Sequence, residues 1–253
     1  MISKSLVRTI KSLEGRKCRL KEGLFLAEGG KLVGELMPSF TLHRVICLEG
    51  WAERNAALLP PGVTPVIVSP EELRRASLQQ HPQEVIAIFS LPRWQERLED
   101  VATHELTLAL DCVQDPGNLG TIVRLADWFG LRRVFCSTDT ADVFSPKAVQ
   151  ATMGALARVR VQYIDLEAQL RAFGGDIYGT FLSGEDIYSA ELGGTGVILL
   201  GNEGRGIRPG LSRLVSRRLV IPPYPAQSPT VESLNVAMAA AIVCAEFRRR
   251  QRP

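Results

Sequence analysis

Apolar and polar positions follow two rhythms along the chain. Short runs of Val, Ile and Leu predict strands, and apolar residues spaced three or four apart predict helices. Residues 3–40 carry mostly helical spacing. A strand RVICLE, a helix near Trp51–Leu59, a strand VIVS, a helix EELRRAS and a strand EVIAIFSLP follow. Together these predict a small α/β domain over residues 1–91, and the polar stretch PRWQERLEDVATHE predicts a linker over 92–105. The alternation restarts more strongly over 106–253. LTLALD, RRVFCS, VQYI, DIYGTFLS, GVILLG and RLVIPP are expected strands; LGTIVRLADWFG, PKAVQATMGALA, EAQLRAF and SLNVAMAAAIVCAEFRRR are expected helices. Strands of continuous Val, Ile and Leu separated by helices predict a mostly parallel sheet covered on both faces. Ligands of such sheets lie beyond the carboxyl ends of the strands.

Composition adds limits. A chain of 253 residues, 45% hydrophobic and 23% charged, suits two globular domains. No apolar run approaches the ~20 residues of a membrane span, and the first residues lack a signal-peptide apolar block, so a cytoplasmic location is expected. The five cysteines, an odd number, show no CxxC spacing. Cys112, Cys136 and Cys244 lie in apolar runs and are expected as small buried hydrophobes. His43, His81 and His104 cluster with no other metal-type ligand, so no metal is expected. The net charge of +3 is small, but eight Lys or Arg face three Glu between Lys4 and Lys31. Five Arg and no acid lie between Arg205 and Arg218, and the chain closes in RRRQRP. These runs suit either solvated helix faces or a phosphate backbone. Arg16, Lys17, Arg19 and Lys21 are the N-terminal candidates for nucleic-acid contact.

Three loops carry candidate chemistry. After LTLALD, the stretch Cys112-Val-Gln-Asp-Pro-Gly-Asn118-Leu-Gly120 opens a helix. Asn118 is a candidate N-cap, and Arg124 is expected near the helix start, where the dipole disfavours a cation. An arginine there calls for an anionic partner, either an internal carboxylate or a phosphate. After GVILL, the loop Gly201-Asn202-Glu203-Gly204-Arg205-Gly206 brings backbone close to something. Its order is not GxGxxG, and Glu203 would repel a phosphate. A cofactor with a positive centre, such as the sulfonium of S-adenosylmethionine, fits better. The third stretch runs from Ile221 through four prolines to Ser233, Leu234 and Asn235 at the start of the last helix. Ser233 is expected as its N-cap, with Asn235 in the first turn. Val236, Ala239, Ala240 and Val243 are expected as a small-residue face open to close packing, with a second subunit among its possible partners.

DCVQDPGNLGTIVRLADWFG, SPKAVQATMGAL, LLGNEGRGI and IPPYPAQSPTVESLNVAMAAAI, in this order over roughly residues 106–250, resemble the ordered motifs of the SpoU (TrmH-like) family of SPOUT methyltransferases. SLVRTIKSLEGRKCRLKEGLFLAEGGKLVGEL resembles, more loosely, the ribosomal-protein-like RNA-binding domain of that family. The resemblance implies a trefoil knot around S-adenosylmethionine, a homodimer with active sites at its interface, and 2′-O-methylation of ribose in ribosomal or transfer RNA. By position, Asn118, Arg124, Glu203, Ser233 and Asn235 match the family's catalytic polar set, and Gly201, Ile221 and Leu234 its cofactor-lining positions. The segment between Ile221 and Ser233 is several residues longer than the common form.

A guanidinium with pKa above ~12 is not a free base, so Arg124 is expected to stabilise a developing oxyanion and hold the adjacent phosphate. Asn118, Glu203 and Asn235 would orient Arg124 and the ribose. Two other readings stand beside this one. A catalytically silent RNA-binding protein of the same fold is opposed by the intact polar set. A nicotinamide-dependent oxidoreductase is opposed by the missing GxGxxG and by Glu203.

Overall fold

A computed structural model describes residues 2–225 and 233–251. In chain order the elements are α1 (Lys4–Ser12), α2 (Arg16–Glu22), β1 (Leu24–Glu28), α3 (Gly30–Leu36), β2 (Leu42–Cys47), α4 (Glu49–Arg54), β3 (Val66–Ile67), α5 (Pro70–Ala76) and β4 (Val85–Ser90). They continue as α6 (Leu98–Ala102), β5 (Leu106–Leu110), α7 (Pro116–Trp128), β6 (Arg133–Ser137), α8 (Pro146–Thr152), β7 (Arg160–Ile164), α9 (Leu166–Ala172), β8 (Ile177–Asp186), β9 (Gly196–Leu200), α10 (Pro209–Ser212), β10 (Arg217–Val220) and α11 (Val236–Arg250). The chain forms two compact units, Met1–Arg93 with Asp142–Arg158, and Trp94–Ala141 with Val159–Pro253.

The first unit holds a sheet in the order β1-β4-β2-β3, with β4 antiparallel to both neighbours and β3 parallel to β2. β1 interrupts the mostly helical stretch expected over residues 3–40. LFLAE, four apolar residues followed by Glu28, is set between Gly23 and Gly29, both at positive φ, and its alternating side chains serve both sheet faces. Leu26, Ile86 and Ile88 pack with Ile10 of α1, Leu13 just past its end, and Leu73 of α5. Phe25 and Phe89 face the other way and gather Phe40 and Phe144, with ring centroids 4.9–5.5 Å from Phe25. α5 opens with a complete capping box, Ser69 with Glu72.

Arg19 lies inside this unit, which corrects its place among the RNA-contact candidates. Its side chain is 3% exposed and bonds Asp142 through Nε and Nη2, at 3.1 and 2.6 Å. Its Nη1 donates to the carbonyls of Leu13 and Glu14, which close α1. Leu20 takes the outer position beside exposed Arg16, Lys17 and Lys21.

The second unit holds a wholly parallel sheet in the order β10-β8-β9-β5-β6-β7. From β5 the chain steps outward to β6 and β7, then crosses to the other side for β8, β9 and β10. The order therefore reverses between β5 and β9, and the carboxyl ends of these two strands frame the place where such sheets bind ligands. One face buries Ala109, Leu199 and Val197 under Leu98 and Ala102 of α6, Leu166 and Leu170 of α9, and Leu211. The opposite face carries α7 and α11, with Tyr178 edge-on to Phe247 at 4.9 Å.

α11 corrects two expectations. Val236, Ala240 and Val243 are buried within the unit, so the small-residue face packs inside the chain, while Met238 on the outer side is 61% exposed. Arg248, Arg249 and Arg250 are also engaged internally. Arg248 donates to the carbonyls of Phe129 and Gly130 at the end of α7. Arg250 donates to those of Ile187, Tyr188 and Ala190, and both Arg249 and Arg250 bond buried Glu246. Those two guanidinium groups hold the Glu246 carboxyl down at about 2.

Candidate active site

β5 and β9 run side by side in register, with Leu110 opposite Leu200, and the Asp111 amide donates to the Leu200 carbonyl at 2.8 Å. The loops that follow, Asp111–Asp115 and Gly201–Gly206, therefore leave the sheet together. Asp115, not Asn118, caps α7: its Oδ1 accepts from the Asn118 amide at 2.8 Å, and Pro116 occupies the first helical position. Two consequences follow. The Asn118 side chain is free of capping duty, and Arg124 lies about two turns into the helix, where the terminal dipole has faded.

Asn118 joins two other expected site residues. Its Nδ2 donates to Glu203 Oε1 at 3.0 Å, and its Oδ1 accepts from Asn235 Nδ2 at 3.1 Å. A carboxylate only accepts, so Glu203 fixes which end of the Asn118 amide faces it. Asn235 is the N-cap of α11, accepting from the amides of Ala237 and Met238 through Oδ1, which leaves its Nδ2 for Asn118. Ser233 was expected in that role. It lies exposed two residues before the cap and makes no hydrogen bond among the described residues. Asparagine caps as well as serine does, and here its amide also reaches the neighbouring loop.

Asn202 is the residue that sequence reasoning passed over. Its Nδ2 donates to the Cys112 carbonyl at 2.8 Å and reaches Glu203 Oε2 at 3.4 Å. Its Oδ1 accepts from the amides of Gly204 and Arg205, and its backbone pairs with Gly206. Gly201 must be glycine, since a Cβ there would stand 2.3 Å from the backbone of Gly206 and Ile207. Cys112 holds φ 57°, pinned by Asn202 at its carbonyl and by Ser137 Oγ at its amide, 2.9 Å. It is half-buried, unlike fully buried Cys136 and Cys244. Burial, with the Asp139 carboxylate, pushes its thiol up and away from a nucleophilic thiolate.

Half-buried Glu203 thus rests on two amide donors and pairs with no cation among the described residues. Arg124 is exposed and makes no hydrogen bond or ion pair among them. Among the described residues, no carboxylate answers the charge of Arg124. Ile221 is half-buried just past β10, and Leu234 is exposed before α11. Residues 226–232, within the lengthened segment, lie outside the described residues. Of the five arginines from Arg205 to Arg218, three are engaged within the unit. Arg208 bonds Asp111 and Asp139, Arg217 pairs with Glu185 and Glu191, and Arg218 lies over the Phe181 ring at 3.4 Å. No group of three or more metal-type side chains is arranged around a common point among the described residues.

The family model for the SpoU rRNA Methylase family matches residues 105–245, which contain both loops and the start of α11. The chain belongs to the SpoU rRNA methylase family. A second model, the MRM3-like substrate binding domain, matches residues 4–87 of this SpoU chain. The 23S rRNA (guanosine(2553)-2'-O)-methyltransferase RlmP of Bacillus subtilis is 32% identical over 96% of this chain and 95% of its own length. A 23S rRNA (uridine(2479)-2'-O)-methyltransferase of Streptomyces viridochromogenes is 30% identical over 94% and 87%. An AdoMet-bound rRNA methyltransferase from Sinorhizobium meliloti superposes with a TM-score of 0.86 at 29% identity, covering 100% of this chain and 97% of that one.

Proposed function

We infer that this SpoU chain transfers a methyl group from S-adenosylmethionine to a ribose 2′-hydroxyl of RNA. Beyond the family itself, one observation carries the choice of cofactor: the half-buried Glu203 carboxylate, just past the end of β9, rests on two amide donors and pairs with no cation among the described residues. That arrangement disfavours a nucleotide phosphate and accepts a positive centre. When bound, the cofactor supplies a methyl on a positive sulfur. That methyl would pass to the ribose oxygen, with the hydroxyl giving up its proton and the sulfur keeping the electrons of the broken carbon–sulfur bond. Arg124, exposed and without a hydrogen bond or ion pair among the described residues, would stabilise the oxyanion and hold an adjacent phosphate. Asn118 and Asn235 hold Glu203 and the start of α11 in one arrangement, which lowers the cost of orienting both reactants.

The substrate is assigned to ribosomal RNA, since both relatives above carry 23S rRNA in their names while differing in base. In the same proposal, residues 1–91 hold RNA and 106–253 perform the transfer. A trefoil knot around the cofactor and a cytoplasmic location belong to the same proposal; no described helix is long and apolar enough to cross a membrane. The homodimer is supported by Trp128 and Met238. They lie 83% and 61% exposed on the outer sides of the packed pair α7 and α11, with Arg124 one turn from Trp128.

The test combines calorimetry with S-adenosylmethionine, NAD and ATP and methyl-label transfer to ribosomal RNA. A methylated 2′-oxygen resists alkaline cleavage, which locates the product on ribose. Binding of S-adenosylmethionine alone and label in alkali-resistant dinucleotides are expected. Tight NAD binding without S-adenosylmethionine binding, or label on bases, would overturn the assignment.

A further inference from the structure

Beyond the polar set at the crevice, a second network joins the same strand ends from below. Asp111 directly follows β5, and its side chain is 1% exposed. Both of its carboxylate oxygens are taken by one residue of the other loop: the Arg208 amide donates to Oδ2 at 2.8 Å, and Arg208 Nε to Oδ1 at 2.5 Å. Arg208 Nη2 then reaches both oxygens of Asp139, each at 2.9 Å. Asp139 in turn accepts from Ser137 Oγ at 2.6 Å, and the Ser137 hydroxyl oxygen accepts from the Cys112 amide. The circuit closes on the residue next to Asp111.

This circuit links the ends of β5 and β6 with the loop after β9. Beside the Asn118–Glu203 bond, Asn202 and Arg208 each tie the loop after β5 to the stretch after β9. The Arg208 cation is matched by two carboxylates, so it is not held ready for a phosphate. Its planar fork satisfies Asp111 and Asp139 at once, which a single-point ammonium cannot reproduce. A buried carboxylate left without that fork would have to move or take up a proton, and either change shifts the β5 loop.

Given methyl transfer by this chain, as inferred above, we propose that Arg208 is a positioning residue for the reaction: through Asp111 and Asp139 it sets the separation of the loops that carry Asn118 and Glu203. It touches neither substrate nor cofactor in this role. Displacements of about 1 Å at a distance from the chemistry can cost on the order of a hundredfold in rate.

The test is a double-mutant cycle on the full chain with Arg208→Gln, Arg208→Lys, Asn118→Ala and Asn118→Ala/Arg208→Gln, read as single-turnover methyl transfer, cofactor Kd and Tm. Hydrogen exchange of residues 112–118 and 201–206 is measured in parallel without substrate. Arg208→Gln should slow transfer about tenfold or more with cofactor Kd within about threefold, and Arg208→Lys should recover part of the rate. In the Asn118→Ala background the same change should cost less than about twofold, because the geometry it protects is already lost. Exchange should quicken in both loops and stay unchanged in β5. Equal losses in both backgrounds, or a loss that follows the unfolded fraction, would overturn the proposal. If the wild-type chain transfers no methyl at all, the function assigned above falls, and exchange alone decides the clamp: quickening in both loops supports it and unchanged exchange contradicts it.

Discussion

Asn118 and Glu203 stand 85 residues apart in the chain and 3.0 Å apart in space. The amide is the right group for that position because it gives a hydrogen to Glu203 while accepting one from Asn235. Asn118→Asp keeps the size and removes the donor, setting two carboxylates against each other. At pH 8 it should slow methyl transfer about tenfold more than Asn118→Ala does. The gap should narrow below pH 6 as the paired carboxylates share a proton. Equal rates for the two variants across that range would mean that Asn118 serves only as filler.

The N-terminal charges divide into two kinds. Lys17 and Lys21 are exposed, whereas Arg19 is buried against Asp142. Replacing both lysines with Ala should weaken RNA binding and lower its salt slope by about one per lysine, with Tm unmoved. Arg19→Ala should instead destabilise the protein by about 3 kcal/mol, since it strands a carboxylate in a poorly solvated site. Salt-titrated RNA binding and thermal melting separate the two. An unchanged slope in the lysine variant would make those charges a merely solvated surface.

Much of the second unit was legible in the chain. Its apolar runs marked β5, β6 and β9, and the three polar loops emerged where strands give way to helices. Helix starts were less legible because the sequence offers competing caps. Asp115 and Asn118 are both suitable, as are Ser233 and Asn235, and only Pro116 at the first helical position signals which of the first pair is used. The internal work of the arginines was not legible at all. Arg19 meets Asp142 across 123 residues and Arg248 meets the Phe129 carbonyl across 119, and no local pattern encodes such partners. Residues 24–28 were missed for a different reason: a short, mostly apolar run between glycines fits a strand or a helical turn equally well by spacing alone.

Glu246 gives a pH test. Its folded carboxyl titrates near 2, against about 4.3 for an unperturbed glutamate. The stability that it contributes is present above pH 4.5 and is lost as the pH falls toward 2. Glu246→Gln should lower Tm at pH 7, by roughly 2–4 °C for each kcal/mol lost, and flatten the decline in Tm between pH 4.5 and 2. Melting curves across that window check it; an acid limb as steep as the wild type's would assign the loss to other carboxylates.

Trp128 tests the proposed dimer. Trp128→Glu places a charge on the exposed side of α7 and should convert a dimer to monomer in sedimentation, with far-ultraviolet dichroism unchanged. Methyl transfer should fall along with the dimer while Arg124 itself stays intact. A wild-type chain that sediments as a monomer at working concentration would remove this part of the proposal.

Arg124 bears the central claim. It is exposed, lies beyond the reach of the helix dipole, and has no hydrogen bond or ion pair among the described residues, so its removal should leave the fold intact. The most direct measurement is single-turnover methyl transfer by Arg124→Ala and Arg124→Lys on a responsive RNA, with Tm and cofactor affinity taken on the same samples. A loss of about 10²-fold or more for Arg124→Ala is expected, with partial recovery by Arg124→Lys and little movement in Tm or cofactor Kd. Normal methylation by Arg124→Ala, or a loss explained by unfolding, would contradict the account.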